Sequence, residues 1–422
     1  MEAWEQGMRV ASLADGAKAL NVLLEKIDEH AVGIVACPKC GAAMESLGRR
    51  GKELVTMLGE IGYARSYYAC ACPGCDGRIF PKDILLDVEN TSFSPGVRRL
   101  MARCGARDSF AKGEEDLLVF SGIRVGEKDI ERVSEAIGAD IEKLEQIQRK
   151  AVFEETEPAA IPEAPIATMY IAYDGTGVPV TKRETAGRKG KQEDGSAKTR
   201  EAKLGCVFTQ VGTDSHGRPV RVDGSTTYTG AIETAEDFGR RLYAEALTRG
   251  LMHAKTVVVL GDGARWIWNL AELHFPGARY IVDLYHAREH LYALHKLIAP
   301  SGARDDSLAK QWLAWLEEGA IEEIIAAASR LLPDDERTCK MVRTEIDYLR
   351  NNAERMRYAE FRINQFFVGS GVVEAGCKNI IAARMKKSGA KWSVRGANAI
   401  IALRCSLASY RFEDYWACRA AA

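Results

Sequence analysis

Asp174 and Asp262 occupy matching settings in the sequence. Each closes an apolar, β-branched run, MYIAY before Asp174 and TVVVLG before Asp262, and each is followed at once by glycine. Such runs mark strands buried on both faces. A carboxylate at a strand's carboxyl end lies where α/β sheets gather their ligands, and flanking glycines allow close approach of a metal ion or phosphate. A third acid, Glu374, opens an apparent helix in GSGVVEAGCKNII. Two strand-end aspartates and a glutamate on a helix crossing them can converge on a pair of divalent ions. Mg2+ and Mn2+ prefer these hard oxygen ligands to thiols or imidazoles. Two ions about 3.5–4 Å apart serve both the attacking and the leaving oxygen in phosphodiester cleavage and strand transfer. An ordinary first-turn glutamate, favoured by the helix dipole, would also fit position 374. Asp283, in IVDLYH, also ends a strand pattern and is either an accessory acid or a structural cap, with His286 near enough for a hydrogen bond.

The cysteines suggest a second metal. Cys37-Pro-Lys-Cys40 and Cys72-Pro-Gly-Cys75 are two knuckles, each with two thiols three residues apart on a tight turn. Paired knuckles make a tetrahedral structural zinc site with no open position, holding one Zn2+. The 31 residues between them exceed the usual spacing of about 15–20. The alternating segment ELVTMLGEIGYARSYYAC reads as a hairpin that closes the gap. Cys70 competes for the fourth position. We assign Cys72, because Cys72-x-x-Cys75 repeats the first knuckle.

Net charge is −1 over 422 residues, so the balance alone favours no partner. Its distribution does. Residues 375–412 contain eight basic side chains and no acidic one, a local electrostatic footprint for a polyanion. Lys378, Lys386, Lys387, Lys391 and Arg395 belong to it, with Trp392 among them for packing or base stacking. The segment TKRETAGRKGKQEDGSAKTREAK holds eight basic and four acidic residues. Arg188, Lys189, Lys191 and Arg200 there are candidates for DNA-backbone contact; a solvated polar loop has the same composition.

The elements that must position these residues follow from periodicity. Residues 1–32 read as an amphipathic N-terminal helix and 33–90 as the zinc ribbon. Residues 91–151 read as a helical region in which GEKDIERVSEAIG suggests a helix-turn-helix for DNA binding. A Pro- and Glu-rich linker follows at 152–166. The pattern over 167–286 is β-β-β-α-β-α-β, an order that matches an RNase H-like core. Residues 287–367 form an all-α insertion expected to fold outward as its own unit, and 368–422 complete the core. The fold class is thus α/β, a mixed-sheet core interrupted by helices and preceded by a small four-cysteine zinc ribbon. No stretch reaches 18 uncharged apolar residues, so no membrane partner is expected. The N-terminus lacks the pattern of a secretory signal, which gives a cytoplasmic expectation with reduced cysteines.

Taken together, YDGTGVPV, GRKGKQEDG, TREAKLG, GDGARWIW, VDLYHAREHL, GVVEAGCKNII, MKKSGAKWSVRGANAIIALR and CPGC followed by FPKD resemble the DDE transposases of bacterial insertion sequences, in particular the ISKra group. The resemblance covers most of the chain. It implies catalytic, metal-binding acids at Asp174, Asp262 and Glu374, with two Mg2+ or Mn2+ ions per site. The partners it implies are double-stranded DNA, as element terminal repeats and target, and further copies of the chain on that DNA. It also implies a bacterial, nucleoid-associated location. Two other readings compete. One is an inactive zinc-ribbon DNA-binding protein derived from a transposase. The other is a haloacid-dehalogenase-like phosphatase, suggested by Asp174-Gly-Thr and Gly261-Asp-Gly. That chemistry needs a nucleophilic aspartate two residues before the acid, where this chain has Ala172.

Overall fold

The structure is a computed structural model that describes residues 1–27, 35–154, 162, 164–190, 192, 195–299 and 307–421. The chain divides into two compact units, Met1–Ile137 with Trp416–Ala422, and Gly138–Tyr415. The division therefore falls within the long helix Glu127–Phe153, not at the expected linker, of which residues 155–161 and 163 lie outside the described residues.

The first unit begins with the helix Glu2–Lys26. An antiparallel sheet follows, in the order β1 (Met44–Thr56), β2 (Gly59–Cys70), β3 (Arg78–Ile79). Leu54, Ile61, Tyr63 and Val88 form its core with Leu24 of the helix. The FPKD motif has a physical reason here. Asp83 is buried and accepts hydrogen bonds from Tyr63, Lys52 and Arg65, each at 2.9 Å, so its charge is compensated from both hairpin strands. The helices Pro95–Arg107 and Phe110–Ser121 come next. Gly122 ends the second of them in the left-handed conformation at φ 76°, a glycine C-cap. The segment read as a helix-turn-helix, 126–138, contains no turn: it opens one continuous 27-residue helix, Glu127–Phe153.

The second unit is built on one mixed sheet. Its strands are β4 (Ile166–Pro179), β5 (Thr199–Thr213), β6 (Pro219–Arg221), β7 (Thr227–Ala231), β8 (Ala254–Gly261) and β9 (Arg279–Val282). They are ordered β6-β5-β4-β8-β9, with β7 pairing beside β6 along β5. The β4/β5, β5/β6 and β5/β7 pairs are antiparallel; β4/β8 and β8/β9 are parallel. Met169–Tyr173 on β4 and Val258–Leu260 on β8 are at most 1% exposed, which is why both strands read as unbroken apolar runs. The helix Ala235–Thr248 precedes β8 and Arg265–His274 follows it.

Beyond β9 come the helices Leu284–Ile298, Ser307–Glu318, Ile321–Ser329, Glu336–Asn352 and Tyr358–Ile363. Trp312, Leu316, Ile324, Val342 and Leu349 give them a core of their own. They do not fold away from the sheet as expected. Tyr358 donates to the Val282 carbonyl at 3.0 Å and Tyr348 to that of Asp262 at 2.9 Å. The insertion is therefore seated on the carboxyl edge of β8 and β9.

The chain then re-enters the core in one continuous helical run. Its α-helical first part is Gly371–Gly376, its π-helical middle Cys377–Ala382, and its last turn Ala383–Met385. Gly376 lets it press on the sheet, since a Cβ there would lie 2.7 Å from the Tyr228 ring. The helix Val394–Ala408 packs beside it. Among the described residues no helix is long and apolar enough to cross a membrane.

Candidate active site and metal centres

Register brings the two aspartates together. The last parallel rung between β4 and β8 pairs Ala172 with Leu260. Asp174 and Asp262 each stand two residues beyond that rung. Glu374 arrives on the re-entrant helix, in its first turn. Asp262 and Glu374 are near enough for their charges to act on Asp174. Burial pushes the Asp174 carboxyl above its ordinary range. Hydrogen bonds from the Cys377 thiol and the Gly175 amide oppose the rise, while the negative charges of Asp262 and Glu374 add to it. Crowded carboxylates of this kind lack a compensating cation, and among the described residues none of the three is ion-paired.

Each acid is also held by a protein donor. The Gly175 amide donates to Oδ1 of Asp174 at 2.6 Å, the Ala264 amide to Oδ1 of Asp262 at 2.8 Å, and the Ser370 hydroxyl to Oε1 of Glu374 at 2.8 Å. Fixed, uncompensated oxygen donors fit a hard divalent cation. The three do not close into a single tight cluster, because among the described residues the ligand atoms drawn within 4.8 Å of one another are those of four cysteines.

The glycines around Asp262 are held to that residue type by neighbouring protein atoms. A Cβ on Gly261 would lie 2.8 Å from Ile267. Gly263 has φ +93°, and a Cβ on it would meet the Tyr348 ring at 2.6 Å.

Asp283 is a helix cap. It is fully buried and accepts from the His286 amide at 2.8 Å, at the start of Leu284–Ile298. It also accepts from the Ser370 amide. The His286 imidazole makes no bond to it; that ring is 41% exposed and its carboxylate neighbour is Glu289 at 3.8 Å. The phosphatase reading loses its footing too, since Ala172 is buried and Asp174-Gly-Thr runs on within β4.

Sequence reasoning missed Ser370, Cys377 and Tyr348. The signal for Ser370 is its spacing, a hydroxyl four residues before Glu374 and so one turn away. Cys377 lies in the π-helical segment directly after the acid, a feature frequent at functional sites. The carbonyls of Asn379 and Ile380 in that segment are taken by Arg404.

The cysteine cluster corrects one ligand. It consists of Cys37, Cys40, Cys70 and Cys75, not Cys72. Sγ atoms lie 3.8 Å apart between Cys37 and Cys75, and 3.4 Å between Cys40 and Cys70. A tetrahedral zinc thiolate site needs sulfur separations of about 3.8 Å, so the four fit one Zn2+. The reason is the hairpin register, which pairs Cys70 with Met44 beside the first knuckle. Cys72 contributes its amide instead, donating to Cys70 Sγ at 3.4 Å, while its own thiol turns to the Pro73 carbonyl. The Lys39 amide, followed by that of Cys40, lowers the Cys37 thiol to about 7, toward the thiolate that metal binding requires.

The two basic segments, far apart in sequence, lie side by side. Val180 bridges to Trp392 in a parallel pairing, with Thr181 donating to the Trp392 carbonyl at 2.9 Å. The Val394 amide donates to Glu184 at 3.1 Å. Arg188, Lys189, Lys378, Lys386, Lys391 and Arg395 are exposed; Arg200 and Lys387 are partly so. Lys191 lies outside the described residues. Lys386 reaches Thr176 Oγ1 at 2.5 Å, two residues past Asp174. Trp392 is 7% exposed, and its indole donates to the Met385 carbonyl. It is a packing residue, out of reach of a base.

A solved structure, the Drosophila P element transposase strand transfer complex, is similar at 10% identity over 77% of this chain and 81% of that one, with a TM-score of 0.28. No curated protein matches the sequence. Residues 189–411 match a described family. That span is more than half of the chain; it begins after Asp174 and takes in Asp262, Asp283 and Glu374. On this match, the chain belongs to the uncharacterised protein family UPF0236.

Proposed function

We propose that this chain is a DNA transposase with an RNase H-like core, cleaving and joining element ends through Asp174, Asp262 and Glu374. The observation that carries the reading is the convergence of these acids at one sheet edge. They come from two neighbouring parallel strands and a helix whose Glu374 lies 200 residues after Asp174 and 112 after Asp262 in sequence, and the charges of Asp262 and Glu374 act on Asp174. The strand order, with antiparallel β4/β5 followed by parallel β8 and β9, supports the RNase H-like reading.

Asp174, Asp262 and Glu374 would hold the divalent ions. Two bound Mg2+ or Mn2+ ions would supply an activated attacking oxygen and a stabilised leaving oxygen. The protein's share is positioning. The Gly175, Ala264 and Ser370 donors fix the carboxylates, and Tyr348 clamps the loop that carries Asp262. The adjoining basic segments, with Lys386 beside the acids, would hold the phosphate backbone along the site. Cys37, Cys40, Cys70 and Cys75 would hold one structural Zn2+ in the DNA-binding N-terminal region. The partners are duplex DNA and further copies of the chain assembled on it, in a bacterial cytoplasm.

The test is incubation of the purified chain with DNA carrying the element's ends, with Mg2+ or with EDTA. Metal-dependent nicking at the ends is expected. DNA binding with no cleavage under any metal would instead favour the inactive, DNA-binding derivative.

A further inference from the structure

We infer that Ser370, anchored by Asp283, is the positioning residue that fixes the Glu374 carboxylate; the inference rests on the proposed role of Glu374 as a metal ligand. Ser370 occupies the N-cap position of Gly371–Gly376. A serine there ordinarily accepts a hydrogen bond from an amide of the first turn. Ser370 makes no such bond. Its hydroxyl instead donates to Oε1 of Glu374 at 2.8 Å, and its amide donates to Oδ2 of Asp283. The side chain best placed to cap this helix is thus turned to its acid.

Asp283 makes the arrangement rigid. It is fully buried, and its other oxygen takes the His286 amide at 2.8 Å. A second bond, from the Leu284 amide to the Val368 carbonyl at 2.9 Å, pins the incoming chain just before Ser370. One buried carboxylate therefore caps the insertion's first helix and sets the residue that sets Glu374. A hydroxyl committed to one oxygen of a ligating carboxylate fixes the plane in which the other oxygen points. Partners of this kind, outside the coordination sphere, typically alter metal affinity about 10–100-fold when removed.

The experiment is Mn2+ titration of the full-length chain and its Ser370→Ala, Ser370→Thr, Asp283→Asn and Glu374→Gln variants, with zinc content and circular dichroism as checks on folding. Glu374→Gln should lose a bound Mn2+. Ser370→Ala should raise the Kd of that ion about 10-fold with zinc and helix content unchanged. Ser370→Thr, which keeps the hydroxyl, should restore wild-type affinity. Asp283→Asn, which keeps a capping oxygen, should weaken binding less than Ser370→Ala. Wild-type Mn2+ affinity in Ser370→Ala alongside loss in Glu374→Gln would overturn the inference and leave the acid's role intact. Wild-type affinity in both would remove Glu374 from the site, and Ser370's role with it. Equal loss in Ser370→Thr and Ser370→Ala would make the serine structural only.

Discussion

Tyr348 donates its hydroxyl to the main-chain carbonyl of Asp262 at 2.9 Å, while its ring fills the space a side chain on Gly263 would need. A helix of the insertion thus holds the loop of a candidate metal ligand. Tyr348→Phe removes one hydrogen bond and should cost about 1 kcal/mol of stability. Gly263→Ala forces a side chain into the ring at a positive φ and should cost more than about 1 kcal/mol. Thermal denaturation of both variants checks the order. If Gly263→Ala were as stable as the wild type, the clamp would not exist.

Asp174 should make the metal-free protein sensitive to pH. Its folded pKa is raised by burial and by its acidic neighbours, so the native state binds more protons than the unfolded state between the ordinary and the raised value. Stability in EDTA should therefore fall as pH rises through that window, and metal affinity should rise over the same window. Asp174→Asn should flatten the stability profile and raise the melting temperature above it. Added Mg2+ should stabilise the wild type and not the variant. An identical pH profile in Asp174→Asn would place the titrating group elsewhere.

Zinc content separates Cys70 from Cys72. Cys70 lies in the sulfur cluster and Cys72 outside it. Cys70→Ser should therefore lose the one Zn2+ per chain, and Cys72→Ser should retain it, as read by elemental analysis of dialysed protein. Retention in Cys70→Ser with loss in Cys72→Ser would reverse the assignment.

The joined basic surface should act as a phosphate-binding face. Neutralising Lys391 and Arg395 together should weaken binding to every duplex. It should also flatten the salt dependence by about one unit of slope per lost contact. Trp392→Phe should leave that slope unchanged while lowering stability, because the indole is buried and bonded to Met385. A changed slope in Trp392→Phe would return the ring to the DNA interface.

How far the sequence reveals this molecule depends on the range of the forces involved. Asp174 and Asp262 are legible because a strand buried on both faces leaves an unbroken apolar run with the acid at its end. Glu374 is legible from its place before an acid-free segment. Cys70 is not, because its selection follows from a strand register that pairs it with Met44, and knuckle spacing does not encode that. Trp392 reads either as packing or as base stacking, because its neighbours are basic; the fold selects packing by bridging its backbone to Val180, over two hundred residues earlier, and bonding its indole to the Met385 carbonyl. Asp283 carries both of its readings in the sequence; the cap is a local bond to the His286 amide, whereas the second partner, the Ser370 amide, comes only with the fold. The glycines beside Asp262 follow the same rule: their need comes from Ile267 and Tyr348.

Asp174, Asp262 and Glu374 should act as one unit. Asparagine at either strand end, or glutamine at 374, keeps volume and removes the charge that would bind metal. Groups that act together are not additive, so each single variant should abolish cleavage about as fully as the triple. DNA binding should persist in all of them. The most direct measurement is Mg2+-dependent cleavage of DNA carrying the element's ends by Glu374→Gln, with binding measured in parallel. Unchanged binding and no cleavage are expected. Near-normal cleavage by Glu374→Gln would contradict this expectation.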